Sequence, residues 1–227
     1  MGRSLVVLSL LLLSVSPGET QGPRADAVVV ARVVGTPGPW PACGILSVRG
    51  EVVFETVRTE RGQVPARFAA VVQCPLMQRW GGVLRLRLAG PMERSDAMPP
   101  LAPAGLPRYR LIDRELAEAP EGVARFLGEH RRELYSTYTS NGTRGGWTVY
   151  GSVLAAKVEN RRVVGLRAQL PRAMSCQDAA RWMGFAEAGP PLRRANRCEW
   201  PGQSERHRLA PGVRGQLQEG VFEVHVR

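Results

Sequence analysis

The residues best suited to binding a ligand are arginines in the last quarter of the chain. They lie in and just after residues 175–207, together with a tryptophan and a histidine: Arg193, Arg194, Arg197, Trp200, Arg206, His207 and Arg208. A guanidinium group donates paired hydrogen bonds to a carboxylate or phosphate, and an indole ring offers a stacking surface. The spacing therefore predicts a loop that binds an anionic ligand.

Three glutamates among these arginines favour a second interpretation. Glu187, Glu199 and Glu205 would form surface ion pairs, which would make the cluster a solvated face without a ligand. His207 has an arginine on each side, so its protonation is disfavoured, and a plain solvated loop is the alternative to anion contact there. The sequence leaves both interpretations open.

Catalytic chemistry has few candidates in this sequence. Only one of the three histidines, His130, has an acidic residue at helical spacing, Glu133, as an acid/base or metal pair needs. A partly buried histidine beside a solvated glutamate is the simpler interpretation. The chain has no GxSxG, HExxH, Walker A, GxGxxG or EF-hand pattern, so we expect no cofactor and no metal ion.

An apolar stretch near the N-terminus predicts export. Arg3 precedes an apolar run at residues 5–15, which has the length of a signal-peptide core and not of a spanning helix. We predict a signal peptide over residues 1–22, cleaved after Gly22. Cleavage after Ala27 and an uncleaved membrane anchor are the alternatives. No later segment is predicted to span a bilayer, so the expected location is periplasmic or extracellular.

The four cysteines fit an oxidising compartment, where disulfides are favoured over metal thiolates. Cys43, Cys74, Cys176 and Cys198 are widely spaced and form no CxxC pair. Of the three possible pairings we favour Cys43 with Cys74 and Cys176 with Cys198, one in each half of the chain. Each would contribute about 3 to 4 kcal/mol. The second bond would tie a helix start to the arginine loop and hold that loop rigid.

The net charge of +11 favours partners that carry negative charge. A basic surface attracts anionic glycans and lipid head groups. Nucleic acid is disfavoured because the basic strands lack interleaved aromatic residues. Lys157 is the single lysine, and such arginine excess is typical of a GC-rich bacterial genome, so part of the charge reflects base composition.

The first half of the chain is dominated by strand patterns. Apolar or alternating runs at residues 27–34, 45–58, 65–73 and 83–88 predict four strands, and residues 109–112 predict a fifth. Five short strands favour a small closed or nearly closed barrel, because closure removes exposed edges. We place this barrel-like β domain at residues 23–118.

Part of this domain resembles a known family. The segments ADAVVVARVVG, Cys43-Gly44, VVFETVRTERG and VVQCP within residues 25–88 are similar to secreted netrin-like domains, which include tissue inhibitors of metalloproteinases. The resemblance implies an OB-like barrel. It does not imply protease inhibition, because the predicted mature N-terminus lacks the cysteine with which those inhibitors chelate a protease's zinc.

Residues 119–227 predict an α+β domain with antiparallel hairpins and two helices on one face of the sheet. We expect one helix over residues 121–135, and a second that starts with the capping box of Ser175 and Asp178 and ends at Gly184 or Gly189. The hairpins are predicted at residues 147–170 and 213–227. The last strand is expected to be edge-like, with His225 on its polar side.

The sequence as a whole favours an exported, non-enzymatic binding or interaction protein. Its expected partner is an anionic glycan, a lipid head group or a protein, bound through the disulfide-tied arginine loop. The alternative is a cell-envelope hydrolase or transferase with an unrecognised site in the C-terminal domain. Convergence of His130, Glu133 and Asp178 in one deep pocket would favour that alternative.

Overall fold

The computed structural model describes residues 25–39, 43–44, 47–75 and 80–226. In these ranges the chain is mostly β structure with two α-helices, in two sheets. The predicted signal peptide at residues 1–22 lies outside the described residues. The prediction of β structure followed by a mixed helix and sheet layer is confirmed at this level.

The first sheet closes into a five-stranded barrel. Its strands are β1 (Ala27–Gly35), β2 (Arg49–Arg61), β3 (Arg67–Gln73), β4 (Val83–Met92) and β5 (Arg108–Leu116). They follow one another in the order β1-β2-β3-β5-β4, and β4 pairs back with β1. The β3–β5 contact is parallel and the others are antiparallel. The predicted fifth strand is therefore confirmed as an integral part of the ring.

Large apolar side chains fill the barrel. Val29, Val52 and Leu86 are buried, and Phe54 stacks on Phe68 with ring centroids 5.5 Å apart. Stacked aromatic pairs add to the stabilisation from burial alone. The predicted disulfide between Cys43 and Cys74 is confirmed beside this barrel.

The second sheet has eight strands. They are β6 (Thr143–Arg144), β7 (Trp147–Tyr150), β8 (Leu154–Glu159), β9 (Arg162–Gln169), β10 (Leu192–Arg194), β11 (Arg197–Trp200), β12 (Val213–Gln218) and β13 (Val221–Val226). All neighbours are antiparallel, in the order β10-β11-β12-β13-β9-β8-β7-β6. The closing hairpin is confirmed as β12 and β13. Its last strand is not edge-like as predicted, because β13 pairs with β9 as well as with β12.

Two short helices, α1 (Arg131–Thr137) and α2 (Cys176–Met183), accompany this sheet. The predicted helix over residues 121–135 is confirmed only from Arg131 onward, where α1 begins. A 3-10 turn occupies Val123–Phe126, and Gly128 has φ +80° and donates its N–H to the Val163 carbonyl oxygen at 2.8 Å. Pairing with the sheet thus replaces the helical hydrogen bonds that the apolar periodicity suggested.

The prediction for α2 is confirmed at both ends. Ser175 Oγ accepts the N–H of Asp178 at 3.1 Å, and Gly184 ends the helix in the left-handed region. Its buried residues Ala179, Ala180 and Met183 belong to the hydrophobic cluster that includes the inward side chains of the sheet. The helix therefore packs on the inner side of the eight-stranded sheet.

The barrel and the eight-stranded sheet share one hydrophobic cluster. At their junction Arg114 of β5 donates to Thr139 Oγ1 at 2.8 Å and lies over the Trp80 ring at 4.3 Å. Burial lowers the pKa of Arg114 to about 10. The division into domains at residues 23–118 and 119–227 stays a prediction.

Candidate functional site

The predicted arginine loop is a β-hairpin at one edge of the sheet. β10 and β11 are joined by a turn in which Ala195 has φ +44°. Arg194 lies opposite Arg197, and Arg193 lies opposite Cys198. Directly paired residues point to the same side of a sheet. Arg194 and Arg197 therefore share the outer face, defined here as the side away from α2 and the hydrophobic cluster, and Arg193 is on the inner side.

The other predicted basic residues lie beyond the far end of this hairpin. Arg206 and His207 are in a 3-10 turn after β11, and His207 Nδ1 is 2.6 Å from the Pro190 carbonyl oxygen. Arg208 pairs with Glu205 at 3.3 Å. The four residues of β11 span about 10 Å, so the structure separates these residues from Arg194 and Arg197.

Trp200 supports the hairpin from within. The residue is completely buried, its Nε1–H donates to the Gly189 carbonyl oxygen at 2.8 Å, and its ring stacks on Phe222 at 5.3 Å. A ring in this position is not available to stack on a ligand. The predicted disulfide between Cys176 and Cys198 is confirmed, and it fastens α2 to β11 beside this tryptophan.

Three cross-strand rows of side chains make up the outer face. The first row is Arg144, Trp147, Lys157, Gly165, His225 and Arg214. The second is Val149, Ala155, Arg167, Glu223, Gln216, Glu199 and Leu192. The third is Gln169, Val221, Gln218, Arg197 and Arg194. The hairpin arginines are thus one end of a larger polar surface.

The two carboxylates of the second row are held by cations. Glu199 pairs with Nε of Arg194 at 3.2 Å and with Nε of Arg197 at 2.6 Å. Glu223 pairs with Arg167 at 2.7 Å and with His225 Nε2 at 2.8 Å. Burial raises the pKa of Glu223, but the hydrogen bonds from His225 and Arg167 outweigh it and leave that pKa below its ordinary value. The ion pairs of the second sequence interpretation are therefore present at Glu199 and at Glu205.

An aromatic contact in the first row depends on a glycine. The rings of Trp147 and His225 meet edge to face at 5.6 Å over Gly165, and the Arg167 guanidinium lies 4.6 Å from the Trp147 ring centroid. A Cβ at Gly165 would lie 2.9 Å from His225 Nδ1, so a larger residue would displace the histidine. Sequence reasoning missed this cluster because its members come from three strands that are distant in the chain.

A groove of about 320 Å³ opens on this face over β11, β12 and β13. Its polar lining comprises Glu199, Arg214, Gln216, Glu223 and His225. Arg214 is exposed and forms no ion pair with any described residue. A second depression of about 200 Å³ lies on the other side of Arg167. The outer face is therefore an open, uneven surface with a cationic group in its larger groove.

Basic side chains outnumber acidic ones on the outer face. The six basic residues are Arg144, Lys157, Arg167, Arg194, Arg197 and Arg214. The acidic residues are Glu199 and Glu223, with Glu159 paired to Lys157 at 2.9 Å as a third. Guanidinium groups carry five N–H donors, so each ion pair leaves donors that can face a ligand.

Two of the three candidate catalytic residues, His130 and Asp178, have structural partners. His130 Nδ1 accepts the N–H of Arg132 at 3.1 Å as a helix cap, and Asp178 binds Ser175 and Arg181. The polar groove that contains Asp178 is not lined by His130 or Glu133. Within the described ranges no group of three His, Cys, Asp or Glu side chains is arranged to hold a metal ion.

Comparisons with known proteins identify no relative. No protein-family model matches the chain, and neither a curated protein nor a solved structure is significantly similar to it. The netrin-like resemblance of residues 25–88 therefore stays a prediction. The described part of the chain contains no helix with the length and apolar character that a bilayer crossing requires.

Proposed function

We propose that this chain is an exported binding protein without a catalytic centre, and that it engages an anionic partner through the outer face of its eight-stranded sheet. The observation that carries the proposal is the uneven charge of this face, where six basic side chains share three carboxylates. The fields of such closely spaced cations add and attract anions. The two disulfides are compatible with export.

The chemistry of the groove favours binding over the alternative of a hydrolase or transferase. Glu199, Gln216 and Glu223 lie side by side on β11, β12 and β13, which puts the two carboxylates about 9.5 Å apart at the backbone. A pair of carboxyl groups at such a distance resembles the acid and base of an inverting glycosidase, but a general acid needs a raised pKa. The pKa of Glu223 is lowered. Glu223 therefore does not suit the role of the general acid, and Glu199 is engaged by two arginines, Arg194 and Arg197.

The partner we propose is an anionic glycan, a lipid head group or an acidic protein surface. Arg214 supports an anion in the groove because its guanidinium has no carboxylate partner among the described residues. Arg194 and Arg197 flank the opposite end of the same surface. The other predicted residues are left out of this proposed contact: Arg193 lies on the inner side of the sheet, Trp200 is buried, and Arg206, His207 and Arg208 lie beyond the far end of the hairpin.

We further propose that the barrel is of the OB type. Two features support this: the strand order β1-β2-β3-β5-β4 with closure between β4 and β1, and the parallel contact of β3 with β5. In this proposal the barrel serves as the structural base of the outer face. No inhibitory role follows from it.

The test is a binding screen with matched variants. The purified protein is applied to an array of anionic glycans and to anionic lipid vesicles, beside the variant with Arg194→Gln, Arg197→Gln and Arg214→Gln. The control carries Arg32→Gln, Arg87→Gln and Arg110→Gln, which remove the same charge from exposed ion pairs of the barrel. The proposal expects binding to be lost in the first variant and retained in the control. Equal binding by both would contradict it.

A further inference from the structure

A second basic cluster lies at a corner of the eight-stranded sheet, away from the predicted arginine loop. Four exposed arginines from two chain segments lie there: Arg131, Arg132, Arg161 and Arg162. The β8–β9 turn supplies two of them, and the start of α1 supplies the other two. We call this set the corner cluster. This cluster was not predicted from the sequence, because residues 121–135 were assigned to one continuous helix.

Backbone hydrogen bonds fix the corner cluster. The Arg131 N–H donates to the Arg161 carbonyl oxygen at 2.8 Å, and the Val163 N–H donates to the Glu129 carbonyl oxygen at 3.0 Å. Arg162 Nη1 donates to the Gly128 carbonyl oxygen at 2.7 Å. The two segments therefore present their arginines together without a long connecting loop.

The corner cluster differs from the outer face in its charge pairing. None of its four arginines forms an ion pair with a carboxylate anywhere in the described ranges. Two carboxylates, those of Glu129 and Glu133, belong to the same segment, and Glu159 of the turn is already paired with Lys157 at 2.9 Å. An excess of two positive charges thus remains at this corner.

The β8–β9 turn supplies an independent observation. Asn160 and Arg161 have φ of 49° and 64°, as in two-residue hairpin turns, for which Asn-Gly is the favoured sequence. Glycine adopts this conformation freely, whereas a side chain with a Cβ does so at a cost. No hydrogen bond or ion pair of the Arg161 side chain to a described residue offsets that cost. Arg161 thus occupies a turn position that favours glycine, and it places a cation at the tip of the corner. Such departures from local conformational preference are expected at functional positions.

The shape and surroundings favour an acidic polysaccharide as the occupant. Insertion into a bilayer needs free apolar side chains, and the exposed apolar residue beside the cluster is Tyr135. Its hydroxyl contacts Thr148 Oγ1 at 3.2 Å, and Arg131 lies 6.0 Å from its ring centroid. Sulfate or carboxylate groups along a sugar chain suit several exposed guanidinium groups that lie close together. We propose that the corner cluster binds an acidic polysaccharide, independently of the outer-face contact.

The experiment measures binding of the full chain to heparin oligosaccharides by biolayer interferometry at physiological salt. The corner variant carries Arg131→Gln, Arg132→Gln and Arg161→Gly, and the barrel triple serves as the control of equal charge. We expect the corner variant to bind about tenfold more weakly and the control to change by less than about threefold. Equal losses in the two variants would mean a generic charge effect and would overturn the proposal.

Two further arms sharpen the test. The single substitution Arg161→Gly should weaken heparin binding and raise the melting temperature by about 2–4 °C, because the turn relaxes. A lower melting temperature would make Arg161 structural and would count against the proposal. If the corner variant loses binding to phosphatidylglycerol vesicles or single-stranded DNA but keeps heparin, the polysaccharide assignment is wrong. The outer-face variant is measured in parallel, so that a wrong prediction for one surface can be distinguished from a wrong prediction for the other.

Discussion

Replacing Glu51 with glutamine should destabilise the barrel more than any exposed charge change. Glu51 is completely buried on β2. Its Oε1 accepts from Arg108 Nε at 2.9 Å, and its Oε2 accepts the Ala102 N–H at 2.6 Å. Arg108 also donates to the carbonyl oxygens of Leu106 and Ala102, each at 3.1 Å. This pair therefore holds the connection between β4 and β5 against the barrel.

The expected size of the effect follows from burial. Removal of one partner from a buried ion pair costs about 3–5 kcal/mol, because the other charge stays behind uncompensated. Arg108 keeps 19% of its side chain exposed, which favours the lower end of that range. A glutamine at position 51 would also point its side-chain N–H groups at one of the two donors that Glu51 now accepts from, Arg108 Nε or the Ala102 N–H. A loss of about 3 kcal/mol lowers the melting temperature of a chain of this size by about 6–12 °C.

Thermal and urea unfolding measure this loss, with Arg32→Gln as the control. Arg32 and Glu55 are 62% and 44% exposed, so breaking their 2.9 Å pair should cost less than about 1 kcal/mol. Limited trypsin digestion adds a local measurement, because Arg94 is exposed in the connection that Glu51 holds. Faster cleavage after Arg94 is expected in Glu51→Gln. Equal melting temperatures for the two variants would refute the reasoning.

Two other predictions concern the disulfides and pH. Mass spectrometry of unreduced, alkylated protein should show two disulfides and no free thiol, and Cys176→Ala with Cys198→Ala should lower the free energy of unfolding by about 3 kcal/mol. A link from Cys43 to Cys176 would contradict this. Because the pKa of folded Glu223 lies below its ordinary 4.5, its stabilisation is present above that pH and is lost as pH falls through the lowered value. The urea midpoints of the protein and of Glu223→Gln should therefore converge as the pH falls below 4.5, and a constant difference would contradict this origin.

Local features of the fold were predictable because their determinants are neighbours in sequence. Ser175 and Asp178 cap α2, Gly184 ends it, and Glu219-Gly220 turns the closing hairpin, as the sequence indicates. Strand order was not predictable in the same way. The parallel contact of β3 with β5 and the central place of β13 both depend on pairings between distant segments.

The candidate site was also only partly predictable, because its geometry depends on strand pairing. Arg193 and Arg194 are adjacent in sequence, yet the alternation of a β-strand places them on opposite sides. Treating residues 193–208 as one loop therefore joined arginines that the sheet separates. The sequence did contain one indication of a hairpin, because polar and less polar residues alternate after the turn at Ala195 and Asn196. By contrast, the contact of Trp147 with His225 over Gly165 required knowledge of three strand pairings.

Chemical footprinting of arginines tests the central claim most directly. The protein is treated with phenylglyoxal with and without the anionic partner found in the screen, and modification at each arginine is measured by tandem mass spectrometry. The outer-face proposal predicts protection of Arg194, Arg197 and Arg214 by the partner, with Arg193 unchanged because it lies on the other side of the sheet. Equal protection of Arg193 and Arg194, or no protection of Arg214, would contradict the proposal.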